Sequence, residues 1–536
     1  MLERRRLIIP ILALLALPAC SDRSGSSSQP VTVPLDAIRA AAEAHTDEMA
    51  QFLSEAITYA SVESEGPTLL PETDALVERA LEKGRELGFT TRRAAGGLVG
   101  ILEYGSGDET VGALVHLDVV APGDLDKWDH PPFSGAIADG KVFGRGAQDD
   151  KGALVGVLWG AKILIDEGMT FPRRLRIILG TKEETSFEDV RTYFAEEAPP
   201  DYGIVPDGPF LMRAEAGYAD IAYGFAGLAP ATSDDARDRV VWWSGGSAVN
   251  SVPDFAYAVL RSRDPVAARA EIESVIARVT GQFARGDSVP DLGVTDFAGF
   301  AAERGLVGVP EGDLVIFSRG KIAHSSVPAS GRNAIVEVAL VGARLQSLAD
   351  GAFARAFRFV DERIGLSTDG SGFGLATDKP IPQASNTTAS LDLVATDEAA
   401  DRLDLTINYR VGIANTAREI EDKSGAIAAG YGAVLREIGA VFDAYYLPDG
   451  DALLGVAAQS YRDVQQHDPL LLALGATTYV KAAPNLVSFG PVDLVEDGIF
   501  FHTVNEQMPV ASLTRNAVLF ADVLQKLIQA EQAPRR

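Results

Sequence analysis

Residues 144–152 read Gly144-Arg145-Gly146-Ala147-Gln148-Asp149-Asp150-Lys151-Gly152. A glycine-rich turn carrying two adjacent aspartates leads directly into an apolar stretch of helical length, residues 152–168. Two neighbouring carboxylates are costly to place there unless something cationic binds them. A helix cap is the simpler alternative, with Asp149 or Asp150 accepting backbone N–H bonds, but a cap needs one aspartate. Reading outward, a β-like run covers 111–120 and further strands cover 175–179 and 202–205. Upstream, amphipathic spacing predicts helices over 35–60 and 72–87, with a β-like run at 97–104 between them and the strand at 111. Strands alternating with helices predict an α/β sheet with helices on its faces, and ligands in such sheets gather beyond the strand carboxyl ends.

The texture changes over about 219–444. β-like runs at 240–243, 314–317 and 403–409 mix with helical stretches at 266–283, 334–348 and 420–429, which reads as a separate α+β unit. The α/β texture resumes near Leu453 and ends in a helix over 511–530. The economical reading is one α/β domain interrupted by an insertion.

Composition narrows the function. The chain has 536 residues, 46% apolar, and 48 basic against 75 acidic residues give a formal charge of −27. That length predicts two domains, and such a surface repels phosphate backbones, so no nucleic-acid partner is expected. A single cysteine excludes an intrachain disulfide framework, a thiolate zinc cage and an iron–sulfur cluster. It is Cys20, after a basic start, an apolar run over 7–17 and Pro18-Ala19, which together describe a secretory signal. Leu17-Pro18-Ala19-Cys20 resembles the bacterial lipobox, which implies lipidation at Cys20. The alternative is an ordinary cleaved signal with an incidental cysteine. The Ser-rich stretch 21–29 reads as a tether, and beyond residue 20 no apolar run reaches the length of a span.

The chemistry-bearing residues fall at predicted strand ends. His116 ends an apolar strand with Asp118 two positions on, on the same face, where a carboxylate could fix the imidazole for a metal. Asp149-Asp150 follows, then Thr181-Lys182-Glu183-Glu184 after the next strand and Asp207 just past a short one. His502 lies far away, in Phe500-Phe501-His502-Thr503-Val504-Asn505-Glu506. Two imidazoles with carboxylates and no sulfur suit a pair of zinc ions, with manganese or cobalt as alternatives. Two such ions about 3.5–4 Å apart could share a carboxylate and a water.

On these residues the chain resembles the two-zinc peptidases that include aminoacylase, carnosinases, glutamate carboxypeptidases and the bacterial peptidase V dipeptidases. The resemblance runs from about Leu35 to the C-terminus and rests on Gly-Arg-Gly-x-x-Asp-Asp-Lys-Gly at 144–152 with Thr-x-Glu-Glu at 181–184. It implies that His116 and Asp207 hold one zinc, Glu184 and His502 the other, and that Asp149 bridges both. Glu183 would be the general base, Asp118 would orient His116, and the Asp149–Asp150 bond would be cis. In the insertion, His324 sits where the peptidase V type places an oxyanion-stabilising histidine, Arg410 where it places a carboxylate clamp, and Asn250 where it places a polar substrate contact. Residues 475–479, with Thr478, resemble the family's substrate loop. His324 lies 117 positions after Asp207 (324 − 207), the spacing of relatives whose enlarged lid supplies this histidine in cis, which implies a monomer. His130, His45 and His467 read as structural or surface residues.

The expected organisation is a signal (1–20), a tether (21–34), a catalytic domain in two parts (35–217 and 447–536) and an inserted α+β lid (218–446). The expected function is a dipeptidase acting on small peptides through a water bridged between two zinc ions. The alternatives are an N-acyl amino-acid deacylase or carboxypeptidase on the same scaffold, and a non-catalytic peptide-binding lipoprotein. A lipid on Cys20 would be the one membrane contact, on the periplasmic side, and Ser21 after it favours outer-membrane sorting.

Overall fold

The computed structural model describes residues 30–534 apart from 65, 229–236, 283–288, 376–385, 438–440 and 476. Cys20, the expected signal and residues 21–29 of the tether lie outside the described residues. No helix among those described is long and apolar enough to cross a membrane.

The strand Thr110–His116 lies between Arg174–Gly180 and Tyr202–Val205, parallel to both. Leu486–Ser488 extends the parallel block past Tyr202–Val205. Antiparallel strands finish each side: Val99–Tyr104 and Thr90–Ala94 on one, Met212–Glu215 and Tyr445–Tyr446 on the other. Leu472–Leu474 runs parallel to Met212–Glu215 and completes a mixed nine-stranded sheet. In the central strand Val111, Ala113, Leu114 and Val115 are all buried, the near-continuous apolar run of a strand covered on both faces.

Five helices pack together against this sheet: Leu35–Ala44, Thr46–Thr58, Lys151–Asp166, Ala452–Gln465 and Val510–Gln529. Lys151–Asp166 is apolar almost all round because it is enclosed almost all round. Gly156 and Gly160 let it approach Val510–Gln529 closely. A Cβ at Gly156 would stand 2.8 Å from the Phe520 ring, and one at Gly160 2.9 Å from the backbone of Ala517 and Ala521. The helix expected over 35–60 is two helices that meet at His45 (φ −99°, ψ 5°). The one expected over 334–348 ends at Gly342, where the Phe357 ring of the following helix Ala352–Arg363 lies against the chain.

The second sheet has eight antiparallel strands, all between Gly217 and Glu437. Along Arg402–Val411, Leu403, Leu405, Ile407 and Tyr409 join a separate core, and the alternate positions Asp404, Thr406, Asn408 and Arg410 take the other face. That core also holds helices Ala334–Gly342 and Ala352–Arg363. The chain is therefore an α/β protein with a second, α+β layer of its own. Tyr445–Tyr446, expected inside the insertion, pairs with Ala214 and Glu215 of the first sheet, so the chain has rejoined that sheet before residue 447.

Candidate metal centre

Three parallel neighbours bring their carboxyl ends together. His116 closes Thr110–His116, Glu183 and Glu184 follow Arg174–Gly180, and Asp207 follows Tyr202–Val205. Asp149 comes from the turn before Lys151–Asp166, and His502 from a loop where its own φ is 57°.

These six side chains form two groups, His116 with Glu183 and Asp207, and Asp149 with Glu184 and His502; the ligand atoms of each lie within 4.8 Å of one another. Asp149 turns one carboxylate oxygen to each histidine: Oδ1 is 2.9 Å from His116 Nε2, and Oδ2 is 3.2 Å from His502 Nε2. His502 Nε2 is also 3.1 Å from Glu184 Oε1, and His116 Nε2 is 3.9 Å from Asp207 Oδ2. The Asp149–Asp150 bond is cis.

Each group is held from behind. The second ring nitrogen of His116 meets the backbone carbonyl of Asp118 at 3.0 Å, with the Asp118 carboxylate 3.5 Å away. That carboxylate accepts the backbone N–H of Glu183 (3.2 Å) and of Glu184 (3.0 Å). Asp118 thus fixes the ring through its main chain and the glutamate turn through its side chain. Asp150 occupies the cap position of its helix but makes no cap bond there. Its carboxylate accepts the His116 backbone N–H at 3.2 Å instead. Lys182, beside Glu183, is buried in an ion pair with Glu63 and donates to the Ser64 carbonyl at 2.8 Å.

Glu506 carries the largest share of this support. Its fully buried carboxylate accepts from Arg145 Nη1 (2.6 Å) and from the backbone N–H groups of Gly146 (3.0 Å), Gln148 (2.8 Å) and Asp149 (3.1 Å). One side chain four residues past His502 therefore holds the turn that carries Asp149. The sequence places Glu506 next to a candidate ligand but gives no sign of partners some 360 positions away.

The electrostatics call for cations. Burial, then Asp149, pushes the Asp207 carboxyl up to about 8. Burial, then Asp207, lifts Glu183 well above the carboxylate range, and burial, then Asp149, raises Glu184. Hydrogen bonds to Asp149 and Glu184 raise His502 to about 10. Glu183 Oε1 is buried without a hydrogen-bond partner. Four carboxylates crowding two imidazoles, all oxygen and nitrogen donors, fit two divalent ions of the hard to borderline kind.

The second sheet supplies the remaining candidates. His324 is exposed, and Ser326 donates its N–H to His324 Nδ1 at 3.1 Å, which leaves the neutral ring's proton on Nε2. Desolvation, then Arg410 and His502, lowers the His324 pKa, so the ring is neutral near pH 7. Arg410 is buried, its guanidinium 4.9 Å from the Tyr218 ring centre. Its Nη1 donates to the Gly475 carbonyl at 3.3 Å, its Nε has no partner, and no described carboxylate lies within ion-pair distance. Asn250 is exposed and accepts the Ser325 N–H on its carbonyl at 3.0 Å. Thr478 points inward: its N–H and hydroxyl both bond Glu215, at 3.0 and 2.8 Å, so it anchors its loop. His130 packs on the Phe143 ring at 4.5 Å and joins neither ligand group. His45 bonds Glu48, and the exposed His467 lies against Tyr461.

An α/β sheet with this cluster at its strand ends is the architecture of a metal-dependent hydrolase. The model for "Peptidase family M20/M25/M40" matches residues 113–348. The chain is 27% identical over 459 residues to the Bacillus subtilis protein named "Putative dipeptidase YtjP", covering 85% of this chain and 90% of that one. It is 25% identical over 443 residues to a similarly named Staphylococcus saprophyticus protein, covering 81% and 86%. Among solved structures, the fold resembles aminoacylhistidine dipeptidase from Vibrio alginolyticus (TM-score 0.55, 17% identity, 91% of this chain and 96% of that one). It also resembles human carnosine dipeptidase 1 (TM-score 0.53, 15% identity, 93% and 100%). Over residues 113–348 the chain is similar to the M20/M25/M40 peptidase family.

Proposed function

We propose that the protein is a dipeptidase that uses two zinc ions, the first held by His116 and Asp207, the second by Glu184 and His502, with Asp149 shared. The observation that carries this reading is Asp149, whose two oxygens face the two histidines of separate ligand groups. When bound, such a pair of ions supplies Lewis-acid polarisation of a carbonyl and lowers the pKa of water.

The chain's own residues supply the rest. Glu183 is the general base: its Oε1, buried and unpartnered, takes the proton of the attacking water and returns it to the leaving amine. Burial and Asp207 raise its proton affinity, the direction that favours taking a proton from water. His324 presents Nε2–H to the developing oxyanion, a donor kind worth about 3–4 kcal/mol in the transition state. Arg410 is a buried guanidinium short of an anion, and its planar fork matches the carboxylate of a dipeptide. Asn250 adds a polar contact from the same lid. In this reading the lid supplies His324 and Arg410 in cis, and the working enzyme is a monomer.

The test is a panel of Xaa-Xaa dipeptides, N-acetyl amino acids and tripeptides, assayed with zinc, manganese or cobalt alongside metal analysis of the purified protein. Hydrolysis confined to acyl substrates would replace the dipeptidase by a deacylase. Binding without hydrolysis would leave a peptide-binding protein.

The N-terminal pattern supports a lipoprotein anchored through Cys20 on the periplasmic side, with Ser21 favouring the outer membrane. Replacing Cys20→Ala should move the protein from membrane to soluble fractions. Unchanged membrane association would remove that assignment.

A further inference from the structure

The three lid residues given substrate contacts come from three separate places in the chain. Asn250 precedes the short strand Ser251–Val252, His324 ends Ala323–His324, and Arg410 lies near the end of Arg402–Val411. The two short strands pair with each other, Ser251 opposite His324, and belong to neither large sheet. Two hydrogen bonds alone would leave them as a small flap. The side-chain pair Ser325 and Asp392 fastens the flap to strand Thr388–Asp397, the neighbour of the strand bearing Arg410.

Asp392 occupies a bulge. Strand Thr388–Asp397 shifts register between Leu391 and Leu393 against Arg402–Val411, and Asp392 is the extra residue. A bulge re-aims the side chain it carries. Here it joins Ser390 on the polar face, where Asn408 and Arg410 stand on the neighbouring strand. Both Asp392 and Ser325 are fully buried. Ser325 Oγ donates to Asp392 Oδ2 at 2.6 Å, and Ser390 Oγ donates to Oδ1 at 2.5 Å. The backbone N–H of Ser325 donates to the Asn250 carbonyl at 3.0 Å. Ser325 therefore grips Asn250 with its main chain, adjoins His324 in sequence, and is fastened by its side chain to the sheet that holds Arg410. The surroundings are costly for a carboxylate: burial, more than any neighbour, raises the Asp392 carboxyl to about 8. A buried acid with both oxygens committed to serines is an expensive way to fill space, since an apolar residue would fill it without that penalty.

We propose that Asp392, through Ser325, is a positioning residue that locks the flap carrying His324 and Asn250 to the sheet carrying Arg410, so that the lid presents its contacts to a dipeptide as one rigid unit. The catalytic consequence rests on the dipeptidase reading above; the mechanical one does not.

Two measurements keep these apart. Hydrogen–deuterium exchange on the full-length protein, with Asp392→Ala and Ser325→Ala, should show at least tenfold faster exchange over residues 321–331, with the core strand Thr110–His116 unchanged. Asp392→Asn should restore most of the protection, because either serine hydroxyl can reverse and accept from the new amide. Wild-type exchange in the flap of both Ala variants overturns the proposal, whatever the enzyme hydrolyses. If dipeptides are turned over, Ser325→Ala should lower kcat about tenfold or more with metal content intact, and should cost little further in a His324→Ala background. Full additivity with His324→Ala would show that Ser325 does not act through that ring and would overturn the catalytic half. A wild-type enzyme inactive on every dipeptide, yet with the flap loosened in the variants, would defeat the dipeptidase reading and leave the lock standing.

Discussion

Replacing Glu506 tests the site's construction more sharply than replacing any ligand. Its carboxylate accepts four bonds, one from the buried Arg145 guanidinium and three from the backbone of the Asp149 turn. Truncation to alanine would leave Arg145 as an uncompensated buried charge, which costs about 3–5 kcal/mol. It would also orphan three N–H groups, at roughly 1–3 kcal/mol each if left dry. Even with strong non-additivity the loss reaches about 5 kcal/mol or more, the scale of a whole domain's stability. Glu506→Ala should therefore fail to accumulate as folded protein. Glu506→Gln is the informative variant, because it keeps the shape and one accepting oxygen while giving up the charge-assisted pair, roughly 2–3 kcal/mol. The turn then loses its fixed distance from His502, and metal affinity should fall about 10–100-fold, the usual effect of disturbing residues that orient ligands. Chelator competition followed by metal analysis measures that fall, and thermal denaturation of the metal-free protein measures the stability term separately. A Glu506→Gln protein that binds two metals with wild-type affinity and melts at the wild-type temperature would refute the reasoning.

Glu183→Gln should keep both metals while kcat falls at least about 10²–10³-fold; because Glu183 also lies within reach of His116 and Asp207, loss of one metal would instead make it a ligand. His324→Ala should lower kcat about 10²–10³-fold with KM nearly constant, whereas Arg410→Ala should raise KM for free-acid dipeptides and spare their C-terminal amides. Equal losses on both substrates in the second variant would contradict the clamp. Glu337, buried in the lid beside Arg332 and Ser318, has its carboxyl raised by burial to about 7. The unfolded chain releases this proton near 4.5, so the contribution is fully present below that pH and disappears as pH rises to about 7. The difference is up to about 3 kcal/mol. Urea denaturation at pH 5 and pH 8 should show a smaller pH difference for Glu337→Gln than for the wild type, and identical differences would exclude the effect.

How much of this was legible in the sequence follows the range of each interaction. The parallel block could be read because its strands are short apolar runs closed by polar clusters, and strand direction then brings His116, Glu183, Glu184 and Asp207 to one edge. The break at His45 was not legible, because the apolar spacing continues across it and only the backbone angle changes. The return of Tyr445–Tyr446 to the first sheet was hidden for a related reason: two residues carry no period, and their pairing with Met212–Glu215 is a long-range contact. Two-residue spacing predicts a shared face, with the Asp118 carboxylate fixing His116. The chain leaves the strand at His116, so the main-chain carbonyl comes nearest the ring and the side chain turns to the glutamate N–H groups. Glu506, Asp392 and the Glu63–Lys182 pair lay beyond sequence reasoning because each is an isolated acid whose meaning depends on donors far away in the chain.

These supports share a physical logic that bears on how the site can work. The candidate ligands are mostly acids, and acids packed together without cations repel. Burial first, and the neighbouring acids second, raise the proton affinities of Asp207, Glu183 and Glu184. A site of this kind would spread apart if its backbone were free to move. The chain resists by fixing main-chain atoms rather than side chains: Asp118 holds the N–H groups of Glu183 and Glu184, Asp150 that of His116, and Glu506 that of Asp149. Four residues of the candidate centre are thus clamped at their own backbone by buried carboxylates that sit behind them. With the backbone held by these clamps, metal binding has to discharge the protons that burial and crowding retain. Metal affinity should accordingly be steeply pH-dependent, and loading should release protons that titration in an unbuffered solution can count.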